Sequence, residues 1–289
     1  MIHSPITAAD ALRATPLAMP DPCRGCRTTK PLGIAITMAF KPFVDVVTGT
    51  VFAYEALVRG IDGQSAGDVL STIEPDMIYK FDQACRVKAI ELAGALFAPD
   101  ETAKLSINFM PNAVYEPNAC IRASLAAARR VGFDPGRLMF EFTENERMLD
   151  VAHVRHIIEV YHAHGFTTAI DDFGAGYAGL GLLADLRPDM LKIDMALVRG
   201  IDRSAARRTI VKNVVRMADE LGIRCIAEGI ETAAELQTLR EIGIRLCQGY
   251  LLARPVVEAL PSSTVTATVN CLQSGTSIGL SSGVTIPLI

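Results

Sequence analysis

Acids and amides recur along the middle of this chain at the ends of short apolar or β-branched runs. Glu55 follows "VFAY", Asn108 ends "KLSIN", and Glu141 and Glu144 close "RLMFEFTE". Asp171-Asp172 close "TTAIDD", Lys192 and Asp194 close "MLKID", Glu228 and Glu231 follow "IRCIA", and Gln248 follows "LC". If these runs are strands of one closed sheet, their C-terminal ends converge and the acids converge with them. Two unit charges ~4 Å apart repel by about 4 kcal/mol at an effective dielectric of ~20. Such a ring needs a counter-charge. Oxygen donors from Asp, Glu and Asn, without paired Cys or His, favour Mg²⁺ or Mn²⁺ over zinc. Five or more of them would serve a pair of ions, which can clamp the attacking and leaving oxygens of a phosphoryl displacement. A helix cap or rim salt bridge explains any one acid equally well, and Glu144 and Glu231 better, since each lies near a helix start. It does not explain the whole series.

Asp171 and Asp172 are adjacent, and neighbours in a strand point to opposite faces. Both reach one site only where the strand ends and turns, a role that falls to Phe173-Gly174. The next residues, Gly174-Ala175-Gly176-Tyr177-Ala178-Gly179, spell GxGxxG with Asp194 about 20 positions on, which is the dinucleotide-binding spacing. Two carboxylates there would oppose the positive potential that a pyrophosphate needs, so this reading fails on charge. Asp172-Phe173-Gly174 also spells the DFG of protein kinases, but the Gly-rich loop, its lysine strand and the HRD-type loop are missing.

The elements that must position these residues follow from periodicity. Strand-like runs at "AITMAFKPFVDV", "VFAYEALV", "KLSINF", "RLMFEF", "TTAIDDF", "MLKID", "IRCIAEGI" and "LCQGYLL" are mostly separated by helix-like stretches. These stretches run over Asp76 to Leu96, Pro117 to Val131, Asn145 to His164, near Leu180, Ser204 to Leu221 and Thr232 to Ile242. Thr143-x-x-Glu146 and Thr232-x-x-Glu235 read as capping boxes. About eight such units in ~220 residues predict an α/β fold, a TIM-like (β/α)8 barrel. The first two runs are joined by only a few residues around Val47-Thr48-Gly49-Thr50, too few for a crossover helix, so one strand is antiparallel to the rest. Residues 1–32 read as a flexible arm, 33–258 as the domain, and 259–289 as a mobile Ser/Thr/Gly-rich tail, in which "TVTATV" alternates like a strand.

A formal charge of −4 over 289 residues offers no basic footprint for duplex nucleic acid. No apolar run reaches the ~20 residues of a membrane span, and no basic-then-apolar leader opens the chain, so a cytoplasmic protein is expected. The seven scattered cysteines suit reduced thiols. Cys23 and Cys26 form a CxxC that would supply only half of a structural zinc site. His153 and His156 have metal-compatible spacing on a helix, but no third ligand lies nearby, and a solvated helix face accounts for them.

Together with "YEALVRG", "INFMP", "EFTE", "DDFGAGY", "LKID", "AEGIET" and "QGYLLARP", in that order, the sequence resembles the EAL-domain cyclic-di-GMP phosphodiesterases from about Ile36 to Pro255. The subtype is similar to the EAL domains of blue-light-regulated enzymes, but the leader is too short to form a sensor module. The resemblance implies that Glu55, Asn108, Glu141 and Asp171 bind one Mg²⁺ or Mn²⁺ ion, and that Asp171 and Asp172 hold a second. It gives catalytic roles to Glu55, to Glu228 as base or water-orienting group, and to Lys192 in holding or activating the water. It assigns Arg59 to a ligand phosphate and places Leu57, Gln248 and Asp194 among the substrate contacts. Glu144 is implied to anchor the loop that begins at Phe173, with Glu231, Asp194 and Gln248 supporting the ligands. The implied reaction is attack of activated water on cyclic-di-GMP to give linear 5′-pGpG, in a homodimer. Departures occur at Ala175, Ala178-Gly179 and Phe109-Met110, where the family often has Thr, Ser-Ser and Leu-Ser. None is a ligand position, so activity is expected to survive. The alternative is a catalytically weak EAL-fold receptor or interaction module, although relatives of that kind usually lack ligands that this sequence retains.

Overall fold

Two strands built from the first apolar runs start the sheet: β1 (Ile36–Asp45) and β2 (Thr50–Gly60) form an antiparallel hairpin. Its turn is short because Asp45 holds it from both ends. The Asp45 carbonyl accepts the Gly49 N–H at 2.8 Å, its carboxylate accepts the N–H groups of Val47 and Thr48, and Gly49 adopts φ 75°. The computed structural model describes residues 32–111, 114, 116–143, 150–175 and 180–261.

The remaining strands are β3 (Lys104–Asn108), β4 (Leu138–Thr143), β5 (Thr167–Phe173), β6 (Met190–Ile193), β7 (Arg224–Ala227) and β8 (Leu246–Cys247). Each pairs in parallel with the next from β2 to β8, and β8 returns to pair antiparallel with β1. The sheet therefore closes as an eight-strand barrel with β1 as its single reversed strand. A short β9 (Val256–Val257) was not expected. It lies against Ala39 and Phe40 of β1, where β8 no longer reaches.

The helices are α1 (Ala66–Ser71), α2 (Ile78–Leu96), α3 (Pro117–Val131), α4 (Val151–Ala163), α5 (Leu180–Leu186), α6 (Met195–Val198), α7 (Ala205–Glu220) and α8 (Ala233–Ile242). The Thr232–Glu235 capping box forms as expected at α8. The helix predicted from Asn145 begins only at Val151, where the Asp150 carboxylate accepts the His153 N–H at 3.1 Å. Asp150 is a good N-cap residue by itself. Glu146, the second half of the other predicted box, lies outside the described residues, as do Cys23, Cys26 and "TVTATV".

Strand alternation sorts the core. On β4, Phe140 and Phe142 face outward, and the Phe140 ring lies 4.8 Å from the ring of Tyr161 on α4, whose buried face is Val154, Ile157, Ile158 and Tyr161. On the inner face, Phe43, Ala53, Met139, Ala169, Met190, Ile226 and Leu246 form one apolar layer across the barrel. Among the described residues, no helix is long and apolar enough to cross a membrane.

Candidate active site

Two residues beyond that apolar layer, on the same face of the same strands, come Glu55, Glu141, Asp171, Lys192, Glu228 and Gln248. The barrel thus has an apolar floor and a polar layer resting on it. Lys192 stands at the centre, with Nζ 5.3 Å from the Phe43 ring centroid below. Around it lie Glu141 at 2.6 Å, Asp171 at 2.8 Å, Glu228 at 2.9 Å and Glu55 at 3.5 Å.

Amides and a hydroxyl orient the acids. Gln248 Nε2 donates to one oxygen of Glu55 at 2.9 Å and Asn108 Nδ2 to the other at 3.3 Å, while Ser106 Oγ donates to Glu141. Asp171 accepts the backbone N–H of Asp172 at 2.8 Å. The turn that brings both aspartates to the site comes earlier than Phe173-Gly174. Asp172 itself adopts φ 57°, and the β5–β6 register shifts between Ile170 and Phe173. Asp tolerates this left-handed backbone better than most residues, so the bulge forms at the acid itself.

These groups fit a hard divalent cation. Glu55, Glu141 and Asp171 each offer a carboxylate oxygen within 4.8 Å of the others, and so do Asp171, Asp172 and Glu228. Asp171 belongs to both sets. The ammonium of Lys192 shows that the pocket already accommodates positive charge.

The electrostatics follow from burying four carboxylates around one lysine. Burial alone would lower the Lys192 ammonium, but Asp171, Glu141, Glu228 and Glu55 raise it well above its ordinary value. Burial would raise Glu55, yet Lys192, Lys41 and the two amides outweigh it and hold the carboxyl low. Burial pushes Glu141 up to about 8, with Glu55 and Asp171 adding to the rise and Lys192 opposing it. Glu228 is driven well up by burial and by the same acids.

A stability prediction follows. A carboxyl with a folded pKa above its ordinary 4.5 binds its proton more tightly in the folded state, so its contribution is complete below 4.5 and is lost as pH rises toward about 8. Glu55, shifted the other way, changes its contribution below that window. The melting temperature of chelator-treated protein is therefore expected to fall between about pH 5 and 8, and Glu141→Gln to flatten the slope. A flat wild-type profile in scanning calorimetry would contradict this.

The other expected site residues lie apart from this layer. Leu57 and Arg59 continue the inward-facing series of β2 toward the rim, where the Arg59 guanidinium donates to the Val58 carbonyl at 2.7 Å. Leu57 lines a cleft of about 290 Å³ together with Asn108, Asp171 and Asp172. Asp194 caps α6, accepting the Ala196 N–H at 2.7 Å, and Glu231 pairs with Arg199. Glu144 lies outside the described residues. His153 bonds the Val114 carbonyl, and His162 bonds Asp189 at 2.9 Å.

Sequence reasoning missed several neighbours of the site. Ser106 and Lys41 sit on strands whose inward face was not assigned residue by residue. Tyr250 is 49% exposed, with Lys41 Nζ 5.8 Å and Arg254 Cζ 4.3 Å from its ring centroid. The inward parity of β1, shared with Phe43, was the available signal for Lys41.

Comparison with known proteins agrees with this architecture. The EAL domain profile matches residues 34–255. A standalone versatile EAL protein from Vibrio cholerae O395, solved in its c-di-GMP-bound form, is 49% identical with a TM-score of 0.76, covering 80% of this chain and 96% of its own. Klebsiella pneumoniae BlrP1, solved as a manganese and cy-diGMP complex, is 34% identical with a TM-score of 0.71, covering 83% of this chain and 62% of its own. The blue light- and temperature-regulated antirepressor BluF of Escherichia coli is 31% identical over 225 residues, which cover 78% of this chain and 55% of BluF. The chain thus spans little more than half of that curated relative, and other curated relatives bear the name cyclic di-GMP phosphodiesterase. The profile match spans the whole barrel and includes every strand-end acid described above; the chain belongs to the EAL domain family.

Proposed function

We propose that this chain hydrolyses cyclic-di-GMP to linear 5′-pGpG. The observation that carries the reading is the polar layer itself: two carboxylate sets sharing Asp171, with Lys192 between them, at one end of a closed barrel. When bound, Mg²⁺ or Mn²⁺ ions, one at Glu55, Asn108, Glu141 and Asp171 and one at Asp171 and Asp172, would supply Lewis-acid activation of water and neutralise charge at the phosphodiester.

The chain's own groups do the rest. Glu228, 2.9 Å from Lys192 and beside Asp171 and Asp172, takes a proton from the attacking water as the new P–O bond forms. The bond to the ribose 3′ oxygen breaks in line, and that oxygen takes up a proton from solvent to leave as a hydroxyl. Lys192 holds Glu228 and Asp171 in place and keeps a positive charge beside the reacting centre. Gln248 and Asn108 fix the Glu55 carboxylate, and Arg59 contacts a phosphate from the rim. Leu57 lines the substrate cleft, and Asp194 orders its rim by capping α6. Tyr250, flanked by Lys41 and Arg254, offers a stacking face for a base. Glu144 and Glu231 keep their supporting roles from the family pattern.

A homodimer is part of this reading, supported by Leu180 on α5 and Met195 on α6, which are 61% and 48% exposed. A second reading, a receptor or interaction module, is favoured by one fact: BluF is named an antirepressor. Purified protein is expected to convert cyclic-di-GMP to a linear product with Mn²⁺ or Mg²⁺ and not with a chelator, measured by chromatography beside the oligomer mass. Tight binding without turnover in either metal would select the second reading.

A further inference from the structure

A buried ion pair stands behind Asn108. Asp82 and Arg86, one turn apart on α2, are 4% and 2% exposed, with Arg86 Nη2 2.7 Å from Asp82 Oδ2. Taking two charges out of water is costly, and replacing such a pair with apolar residues is often neutral or stabilising. Its contribution to stability is therefore a weak explanation for its presence.

The other oxygen of Asp82 supplies a better one. Asp82 Oδ1 accepts the Met110 N–H at 3.1 Å, and Met110 lies two residues beyond Asn108. Between them, Phe109 donates its N–H to the Glu141 carbonyl at 2.9 Å and seats its ring against Phe140, Phe142 and Tyr161. The turn leaving β3 is thus tied on one side to the strand that carries Glu141, and on the other to Asp82. Arg86 fixes the carboxylate that makes the second tie. Asp82 and Met110 line the same cleft as Asn108, Asp171 and Asp172.

We propose that Asp82 is a positioning residue. Through the Met110 amide it sets the direction in which the chain leaves β3, and so the placement of the Asn108 side chain against Glu55 and a bound ion. Arg86 serves to hold Asp82 in that pose. This inference rests on the metal-dependent phosphodiesterase reading.

Two substitutions separate positioning from simple structural support. Asp82→Asn and Asp82→Ala both leave Arg86 without its counter-charge, so both lower the melting temperature. Only Asp82→Asn keeps an acceptor for Met110. Calorimetric titration with Mn²⁺ and steady-state kinetics are the readouts. Asp82→Ala is expected to weaken Mn²⁺ binding and lower kcat by ~10–100-fold with KM changed less than about twofold, while Asp82→Asn stays within about threefold of wild type on all three. Equal Mn²⁺ affinity and equal kcat in the two variants would overturn the proposal.

If either variant fails to fold, Asp82→Leu with Arg86→Met removes both charges and the acceptor together. Wild-type Mn²⁺ affinity in that double variant would also overturn the proposal, and a ~10–100-fold weakening would support it. If wild type binds Mn²⁺ in an Asp82-dependent way yet never hydrolyses cyclic-di-GMP, the phosphodiesterase reading fails and the positioning role stands. If wild type does not bind Mn²⁺, the positioning role fails as well.

Discussion

Asp171→Ala is expected to reduce hydrolysis of cyclic-di-GMP by ~10³-fold or more, because loss of ion-based charge stabilisation is worth several kcal/mol and each 1.36 kcal/mol is tenfold in rate. The reason is its position. Glu55 and Glu141 serve one carboxylate set and Asp172 and Glu228 the other, whereas Asp171 belongs to both. Its removal opens both at once. The fold should survive, because four acids share one lysine and the loss of one relieves repulsion among the other three. Glu55→Ala should also abolish turnover, but through a single set. Circular dichroism and melting temperature establish the fold, and product chromatography gives the rate. Near-normal turnover by both folded variants would refute the assignment of these acids to a metal site.

Lys192→Met should act the other way, on stability before activity. Removing one partner of a buried pair typically costs about 3–5 kcal/mol because the other charge is left uncompensated. Here the partner left behind is a group of four carboxylates, and the lysine that disappears is 1% exposed. At ~2–4 °C per kcal/mol for a domain of this size, melting in chelator should fall by roughly 6–20 °C. Mn²⁺ should restore part of that loss, since a ligand at 100 times its Kd stabilises the folded state by about 2.7 kcal/mol. The deficit should grow with pH as the remaining acids give up their protons. A variant that melts like wild type in chelator, at neutral pH, would show that the ring does not depend on Lys192.

Much of this was legible because barrels repeat. The period-2 pattern fixes which residues share an inward face, and an acid or amide near the end of each run from the second onward already implied that they would meet. Position within the ring was less legible. Nothing in "MLKID" says that Lys192 stands in the middle, because that depends on Phe43 lying beneath it and on acids from four other strands. Sequence alone points to the glycine after Asp172 for this turn, since Gly is the usual carrier of a positive φ. α1 leaves little periodicity to read, because its Ser65–Asp68 capping box starts a helix of only six residues. Asp82 looked like one more polar position on a helix, since its partners Arg86 and Met110 sit on different sides of it and only one is close in sequence. Tyr250 required its flanking cations, which come from opposite ends of the domain.

The reversal of β1 also determines how the domain can be joined to other chains. In an all-parallel barrel the polypeptide enters at the base, on the side away from the chemistry. Here Ile36 opens β1 opposite Gly60, the last residue of β2, so the chain enters at the rim that carries the acids. It also leaves there: β9 lies against Ala39 and Phe40, the Glu258 N–H bonds the Met38 carbonyl at 3.0 Å, and Thr37 donates its hydroxyl to the Glu258 carboxylate at 2.5 Å. A segment joined directly at Ile36 or Glu258 starts at the doorway of the site, and a pull there acts first on the strand that carries Lys41 and Phe43.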